Sequence, residues 1–246
     1  MKDNFNKALY SESLFEEWAY KEDLDFSEKY FLNNYVQNHS KRVIEGGTGG
    51  GRIIFYLEQL GFTQLDAFDF VPKMIEYCKT KSKKNISNVQ FKVADAINLK
   101  DYQKESFDYL IYLQQVLSFV NEEDFDQSLI EANRIGAKDS IYIFSFLNWH
   151  AKKYNPILSL LVNFFRWLRR EKTSKYYLPW LIINRRFNWK LFHSNQASNL
   201  WIKRDDISNK LIKFGFEIIE LKTECEIERN TKSKNSGKIY VACKKI

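Results

Sequence analysis

Five of the nine glycines in this 246-residue chain stand at positions 46, 47, 49, 50 and 51, inside the stretch VIEGGTGGGR that runs from Val43 to Arg52. Glycine lacks the Cβ that keeps a ligand away from main chain, and it accepts the positive φ angles of a tight turn. A turn of this kind between a strand and a helix is a place where backbone meets a small molecule. Spacing separates three nucleotide-binding patterns. A phosphate loop, GxxxxGK(S/T), finds Gly46 and Gly51 but meets Arg52 and Ile53 where lysine and hydroxyl belong. The dinucleotide pattern GxGxxG, read from Gly47 and Gly49, requires glycine at position 52 and again meets Arg52. The pattern that fits is acid-x-G-x-G-x-G, carried by Glu45, Gly47, Gly49 and Gly51.

Three further segments follow in register. Asp69 closes an apolar run in AFDFVPKMIEYCK, Asp95 closes another in VQFKVADAINL, and Leu113 and Gln114 end a third in SFDYLIYLQQVLSFV. An isolated aspartate after an apolar run is commonly a helix cap, but the set taken together resembles the class I S-adenosylmethionine-dependent methyltransferases, a methyltransferase type 11/25-like domain. The resemblance covers Lys41 to Phe146 well and Arg204 to Lys245 loosely. It implies a cofactor site built from Glu45, Gly46, Gly47, Thr48, Gly49 and Gly51 at the turn, and Asp69, Phe70 and Met74 after the second strand. Asp95 is implied at the adenine amino group with Ala96 and Ile97 against the ring, and Leu113 and Gln114 facing the methyl donor. The implied cofactor is S-adenosyl-L-methionine and the product S-adenosyl-L-homocysteine. One departure is RIGAKDS, which offers only Gly136 where many members have a Pro-Gly-Gly turn. Methyl transfer from a sulfonium is an in-line displacement governed by alignment, so the lack of a catalytic triad or metal cluster is consistent with it.

Catalytic candidates are few. His39 precedes the first strand, on the side opposite the expected cofactor; His150 and His193 lie toward the end of the sheet where chemistry is expected, and either can deprotonate a hydroxyl. Gln114 and Gln115 are comparable candidates for orienting an acceptor. Cys78, Cys225 and Cys243 are odd in number and widely spaced, which suggests neither a disulfide framework nor a zinc site.

The elements that must position these residues can be read from periodicity. RVIEGG, LDAFDF, VQFKVAD, FDYLIYL and SIYIFSF read as strands; Arg52 to Leu60, Pro72 to Lys84 and Glu122 to Ile135 read as the helices between them. Such alternation predicts an α/β fold with parallel strands and right-handed crossovers. GFEIIEL and GKIYVACKK read as two more strands joined by the polar loop ECEIERNTKSKNS, an antiparallel pair at the sheet edge. Two short helices are expected in the first forty residues. The resemblance supplies the arrangement: a Rossmann-like, doubly wound seven-stranded sheet of order 3-2-1-4-5-7-6 with the last strand antiparallel. The expected organisation is an N-terminal helical lid over 1–40, a cofactor domain over 41–147 and 204–246, and a mainly helical insertion after strand 5 over 148–203.

That insertion holds the charge. Net charge is +7, yet from Asn148 to Arg204 twelve Lys or Arg face the single acid Glu171, so this segment is +11 and the rest of the chain −4. Five of six tryptophans, 149, 167, 180, 189 and 201, lie there too. Aromatic walls and arginines suit a lid over a small-molecule or lipid-like acceptor, including an anionic one, methylated at oxygen or nitrogen. ILSLLVNFFRWLRR is read either as a helix buried against the domain or as an interfacial helix touching an anionic membrane, since it is too short to span one. RNA ranks below both, for want of a recognisable RNA-binding module. A non-catalytic binding module on the same fold is the rival of another class, with RNA methylation the remaining alternative. No secretory leader is read in MKDNFNKALYSESLFEEW, and a cytoplasmic protein, peripheral at most to a membrane, is expected.

Overall fold

The computed structural model describes residue 11 and residues 14–151, 156–183, 186–193, 198–228 and 237–246. Its spine is a mixed sheet. Strands β1 (Val43–Gly46), β2 (Leu65–Asp69), β3 (Gln90–Val93), β4 (Phe107–Tyr112) and β5 (Gly136–Asn148) pair in parallel, in the order β3-β2-β1-β4-β5. After the short strands β6 (Tyr177–Leu178), β7 (Ile182–Ile183), β8 (Arg186–Phe187) and β9 (Asn199–Ile202) come β10 (Phe216–Thr223) and β11 (Ile239–Lys245). β11 runs antiparallel between β5 and β10. The seven long strands thus take the expected order 3-2-1-4-5-7-6, with only the last reversed.

Alternation along the strands assigns each face its own core. Val43, Ala67, Ile111, Ile143 and Ala242 point to one side, Ile44, Phe68, Leu110, Phe144 and Val241 to the other. Because β1 and β4 are buried on both faces they read as continuous apolar runs. The first face is covered by α2 (Phe26–Tyr35), α3 (Arg52–Gln59) and α4 (Pro72–Asn85), the second by α5 (Phe125–Ile135) and α7 (Arg204–Lys213). α5 buries Phe125, Ser128, Leu129, Ala132 and Ile135, the i, i+3, i+4, i+7 stripe of an amphipathic helix. α4 opens on Pro72, where the missing N–H costs nothing.

Three boundaries differ from the sequence reading. β5 begins at Gly136 and not at Ser140: Gly136 pairs with Phe107, and the register resumes at Ile141 opposite Tyr109 after a bulge in which Asp139 takes φ 63°. The loop after β10 opens with a helical turn, α8 (Glu224–Ile227), set by a capping box between Thr223 and Glu226; residues 229–236 lie outside the described ones. Among the described residues of the insertion, α-helix is confined to α6 (Pro156–Leu168), preceded by the undescribed 152–155, with a short 3-10 helix at Trp189–Phe192. Beyond it β6 pairs antiparallel with β9, and β9 pairs parallel with Leu147 and Asn148 at the end of β5. This segment packs its own small core of Leu147, Val162, Leu178, Leu191 and Trp201, with Trp180 edge-on to Trp201 at 4.7 Å. At the other end of the chain the short helix α1 (Phe15–Ala19) rests on Val71 and Met74 beside the glycine turn.

Candidate functional site

The carboxyl ends of β1, β2, β3 and β4 surround an open crevice of about 970 Å3, solvent at its mouth included. Of the residues expected there, Gly47, Gly49, Asp69, Phe70, Met74, Asp95, Ala96, Ile97 and Gln114 line it. Glu45, Gly46, Thr48 and Gly51 stand behind it and build the turn. Leu113 does not reach it: fully buried, it belongs to the core under α3 and α4, because side chains alternate along a strand end and Gln114 takes the crevice side.

The turn is held by its own polar groups. The Thr48 N–H donates to Phe68 O at 3.0 Å, Gly49 N–H to Asp69 Oδ2 at 2.9 Å, Gly50 N–H to Trp18 O at 3.3 Å and Gly51 N–H to Thr48 O at 2.8 Å. With these four donors engaged, the turn is not a phosphate cradle, which removes the phosphate-loop reading on geometry as well as on sequence. Beneath it, one Glu45 oxygen accepts from Thr48 Oγ1 at 2.6 Å and from Ile54 N–H at 3.1 Å, tying the strand to the first turn of α3. Burial pushes the Glu45 carboxyl up to about 8, although those bonds and nearby Arg52 oppose it. The Cys78 thiol donates to Gly49 O at 3.1 Å.

The glycines serve packing as much as access. A Cβ at Gly50 would lie 2.1 Å from Ala19 O, one at Gly47 2.4 Å from Val116, one at Gly51 2.7 Å from Phe55. Gly49 alone among the turn glycines has room, its nearest neighbour being Trp18 O at 3.6 Å, and it adopts φ +52°. The expectation that all of these positions clear space for a ligand therefore holds fully at Gly49; at the others the space is already taken by the protein.

Asp69 is the most constrained acid. Its two oxygens accept from Gly49 N–H and Val71 N–H, both at 2.9 Å, and the Phe70 N–H adds a third bond. Burial raises it to about 6 against the pull of these donors. A carboxylate offers about four lone-pair sites, so Asp69 keeps room for roughly one further hydroxyl donor. Asp95 is exposed, and its Oδ1 accepts from Ile97 N–H at 3.2 Å, an Asx turn that presents the acid at the crevice wall.

Several lining residues were not anticipated as site residues. Trp18 comes from α1, and Val116, Phe119, Val120, Asn121 and Asp124 from the turn after β4. That turn is strained: Gln114 and Gln115 both adopt left-handed φ, 61° and 59°, and Gln115 N–H is fixed on Ser145 Oγ at 2.9 Å. Consecutive glutamines at a strand end carry no signal that would predict it.

Charge gives the crevice its character. Asp69, Asp95 and Asp124 line it and, among the described residues, no Lys or Arg does, in a chain of net charge +7. Neither His150 nor His193 lines it; both are exposed. Arg166 and Arg169 of the insertion are also elsewhere: Arg166 donates to Tyr177 O and Ser198 Oγ, and Arg169 to Glu171, Phe192 O and His193 O. They hold the insertion together. No cluster of potential metal ligands occurs among the described residues, and no disulfide joins the three cysteines.

An apolar-walled, acidic crevice beside a glycine turn fits a ligand with an aromatic base, hydroxyls and positive charge, which is the make-up of S-adenosylmethionine. Comparison with known proteins agrees. The chain resembles the PH0226 protein from Pyrococcus horikoshii OT3 with TM-score 0.64 at 16% identity, covering 97% of this chain and 99% of that one. It also resembles a SAM-dependent methyltransferase from Methanosarcina mazei, with TM-score 0.65 at 16% identity over 88% and 97% of the two chains. The 4+2 cyclase SpnF shares the fold too, with TM-score 0.61 at 11% identity over 93% and 85%. No curated protein matches the sequence. The family model described as "Methyltransferase domain" matches residues 37–181, more than half of the chain. This chain belongs to the methyltransferase-domain family, with the Rossmann-like fold and the S-adenosylmethionine cofactor of its class I members.

Proposed function

We propose that the protein transfers a methyl group from S-adenosylmethionine to oxygen or nitrogen of a small-molecule or lipid-like acceptor. The observation that carries this is the crevice itself: three carboxylates and no Lys or Arg among its described lining residues, at the carboxyl edge of the sheet, beside a turn four of whose N–H groups are engaged. The sulfonium makes its methyl group electrophilic, and that is the chemistry the cofactor supplies. The chain's part is alignment and exclusion of water. In this reading Asp69 receives a ribose hydroxyl, Asp95 the adenine amino group, and Ala96 and Ile97 the ring face. Main chain at Gly47 and Gly49 receives the amino-acid end, and Gln114 stands at the acceptor side. Residues 1–40 act as a lid through Trp18, and 148–203 complete the acceptor side.

An acceptor without negative charge suits this lining best, since an anion would face three carboxylates and no cation. An amine needs no strong base once deprotonated, and a hydroxyl gains from one. The exposed histidines are outside the lining, and Asp69 and Asp95 are taken up by the cofactor in this reading, so the carboxylate of Asp124 is the lining group left to take a proton. Three cysteines not joined by a disulfide fit a reducing cytoplasmic setting.

Titration calorimetry with S-adenosylmethionine and S-adenosylhomocysteine tests the cofactor site: binding heat is expected for both, and its absence from folded protein overturns the reading. A cyclase shares the fold, so turnover is a separate question. Incubation with methyl-labelled donor and a panel of amines, alcohols and lipids is expected to give a labelled product, while cofactor binding with no transfer to any of them would favour the non-catalytic alternative.

A further inference from the structure

Helix α6 is inverted. At 100° per residue, Ile157, Leu160, Leu161, Phe164, Phe165, Trp167 and Leu168 occupy one arc of about 160°, and every one is exposed, Leu160 by 71% and Ile157 by 67%. On the opposite arc Val162 is buried in the insertion's small core, Asn163 bonds Ser174, and Arg166 is buried on Tyr177 O and Ser198 Oγ. A soluble helix does not ordinarily turn most of its apolar side chains outward. The apolar surface continues onto the next element: Phe165 meets Phe192 at 5.3 Å, and the short 3-10 helix Trp189–Phe192 exposes Trp189 by 72%, with Phe187 at 4.6 Å from it.

Exposed cations border this surface. Arg170 follows the helix, Lys175 lies beyond it, and Arg186 and Lys190 flank Phe187 and Trp189. The segment's one acid, Glu171, is paired with Arg169 at 2.8 Å. Two candidate occupants differ electrostatically. A second copy docked on the same face would bring two rings of cations together without compensation. An anionic headgroup layer would neutralise them while acyl chains receive the apolar arc. α6 has 13 residues, well short of the ~20 needed to cross a bilayer, and no helix among the described residues is long and apolar enough to do so.

We infer that the α6 arc and the Phe187–Trp189 edge form a docking surface for an anionic lipid bilayer, on which the protein lies peripherally. This goes beyond the proposed reaction and does not depend on it. The bilayer is the occupant; free lipid in the crevice is not required.

The test is flotation of the intact protein with vesicles of phosphatidylcholine alone or with about one third phosphatidylglycerol. Capture is expected on the anionic vesicles and to fall several-fold between 50 and 500 mM salt, as screening shortens the reach of the cations. Brominated acyl chains are expected to quench tryptophan fluorescence of the bound protein, and this readout needs no variant. L160S/W167S and, on a separate element, W189A are each expected to reduce capture about tenfold or more, with melting temperature within about 2 °C because the side chains are exposed. Failure to bind either vesicle overturns the proposal. So does capture that salt abolishes but the variants leave unchanged, without quenching. A dimer in sedimentation that the same variants dissociate, with no lipid binding, would assign the face to a second copy instead.

Discussion

Arg52 and Glu28 form a two-pronged ion pair sealed from solvent, Nη1 and Nη2 each 2.6 Å from a carboxylate oxygen, with the side chains 2% and 1% exposed. The same guanidinium donates to Asp23 O at 2.8 Å. Arg52 is the residue that breaks both nucleotide-loop patterns in the sequence, and the pair explains its presence: it faces away from the crevice and pins the N-terminal helix α2 to the start of α3. Removing one partner strands a buried charge. Arg52→Ala is expected to cost about 3–5 kcal/mol in urea denaturation, and Arg52→Met with Glu28→Leu markedly less than Arg52→Ala alone.

Gly50 and Gly49 separate packing from access. Gly50→Ala forces a methyl group into Ala19 O, and is expected to displace α1 and lower stability by about 1–3 kcal/mol. Gly49→Ala meets nothing closer than 3.6 Å, so its cost is the left-handed backbone, about 1–2 kcal/mol. Its methyl group, however, enters the crevice wall. Calorimetric affinity for S-adenosylmethionine should fall more in the Gly49 variant than in the Gly50 variant; equal losses would show that access at Gly49 is not what matters.

These two neighbours show what sequence could and could not convey. The strands and the helices between them were legible because buried parallel strands and amphipathic helices leave strong periods; strand order and the cofactor edge came only through the family resemblance carried by the glycine turn and the acids that follow in register. The contacts of Gly50 with Ala19 and of Arg52 with Glu28 join residues 24 to 31 positions apart across a fold, and no local period encodes them. α8 was legible in principle: Thr223 and Glu226 are a capping box, overlooked among polar neighbours. The short strands after α6 were hidden for another reason. They are two to four residues long; β9 pairs with the end of β5 and β6 with β9, so the pairing of these two is set by where β5 ends and not by their own alternation, while β7 and β8 pair with each other.

Asp69 tests the site chemistry. Both oxygens accept main-chain N–H bonds, so an isosteric amide must turn its NH2 against Gly49 or Val71. Asp69→Ala is expected to weaken cofactor binding by ~1–3 kcal/mol, and Asp69→Asn to be no milder. A carboxyl near 6 also gives a pH signature: cationic S-adenosylmethionine prefers the ionised form, so wild-type affinity should decline as pH falls below about 6. An unchanged dissociation constant in both variants would refute the assignment.

Glu45 makes the opposite prediction for stability. Buried, its carboxyl is held near 8, against a reference of 4.5 for the unfolded chain. Between those values the folded protein binds the extra proton, so this group's contribution to stability falls as pH rises from about 4.5 through 8. Carboxyls held low, such as Glu131 beside Arg134, act only at lower pH, where protonation removes their contribution. Asp69, raised to about 6, also titrates at the acid end of the range from pH 5.5 to 9, so Glu45 is isolated by comparing wild type with a variant that differs only there. Glu45→Gln keeps a carbonyl oxygen for Thr48 and Ile54 and carries no titrating proton. Relative to wild type, the variant should gain a few kcal/mol from pH 5.5 to pH 9, at ~1.4 kcal/mol per pH unit at most. Parallel stability curves for the two proteins would mean that Glu45 is ionised throughout, held by Arg52 and the turn more strongly than burial opposes.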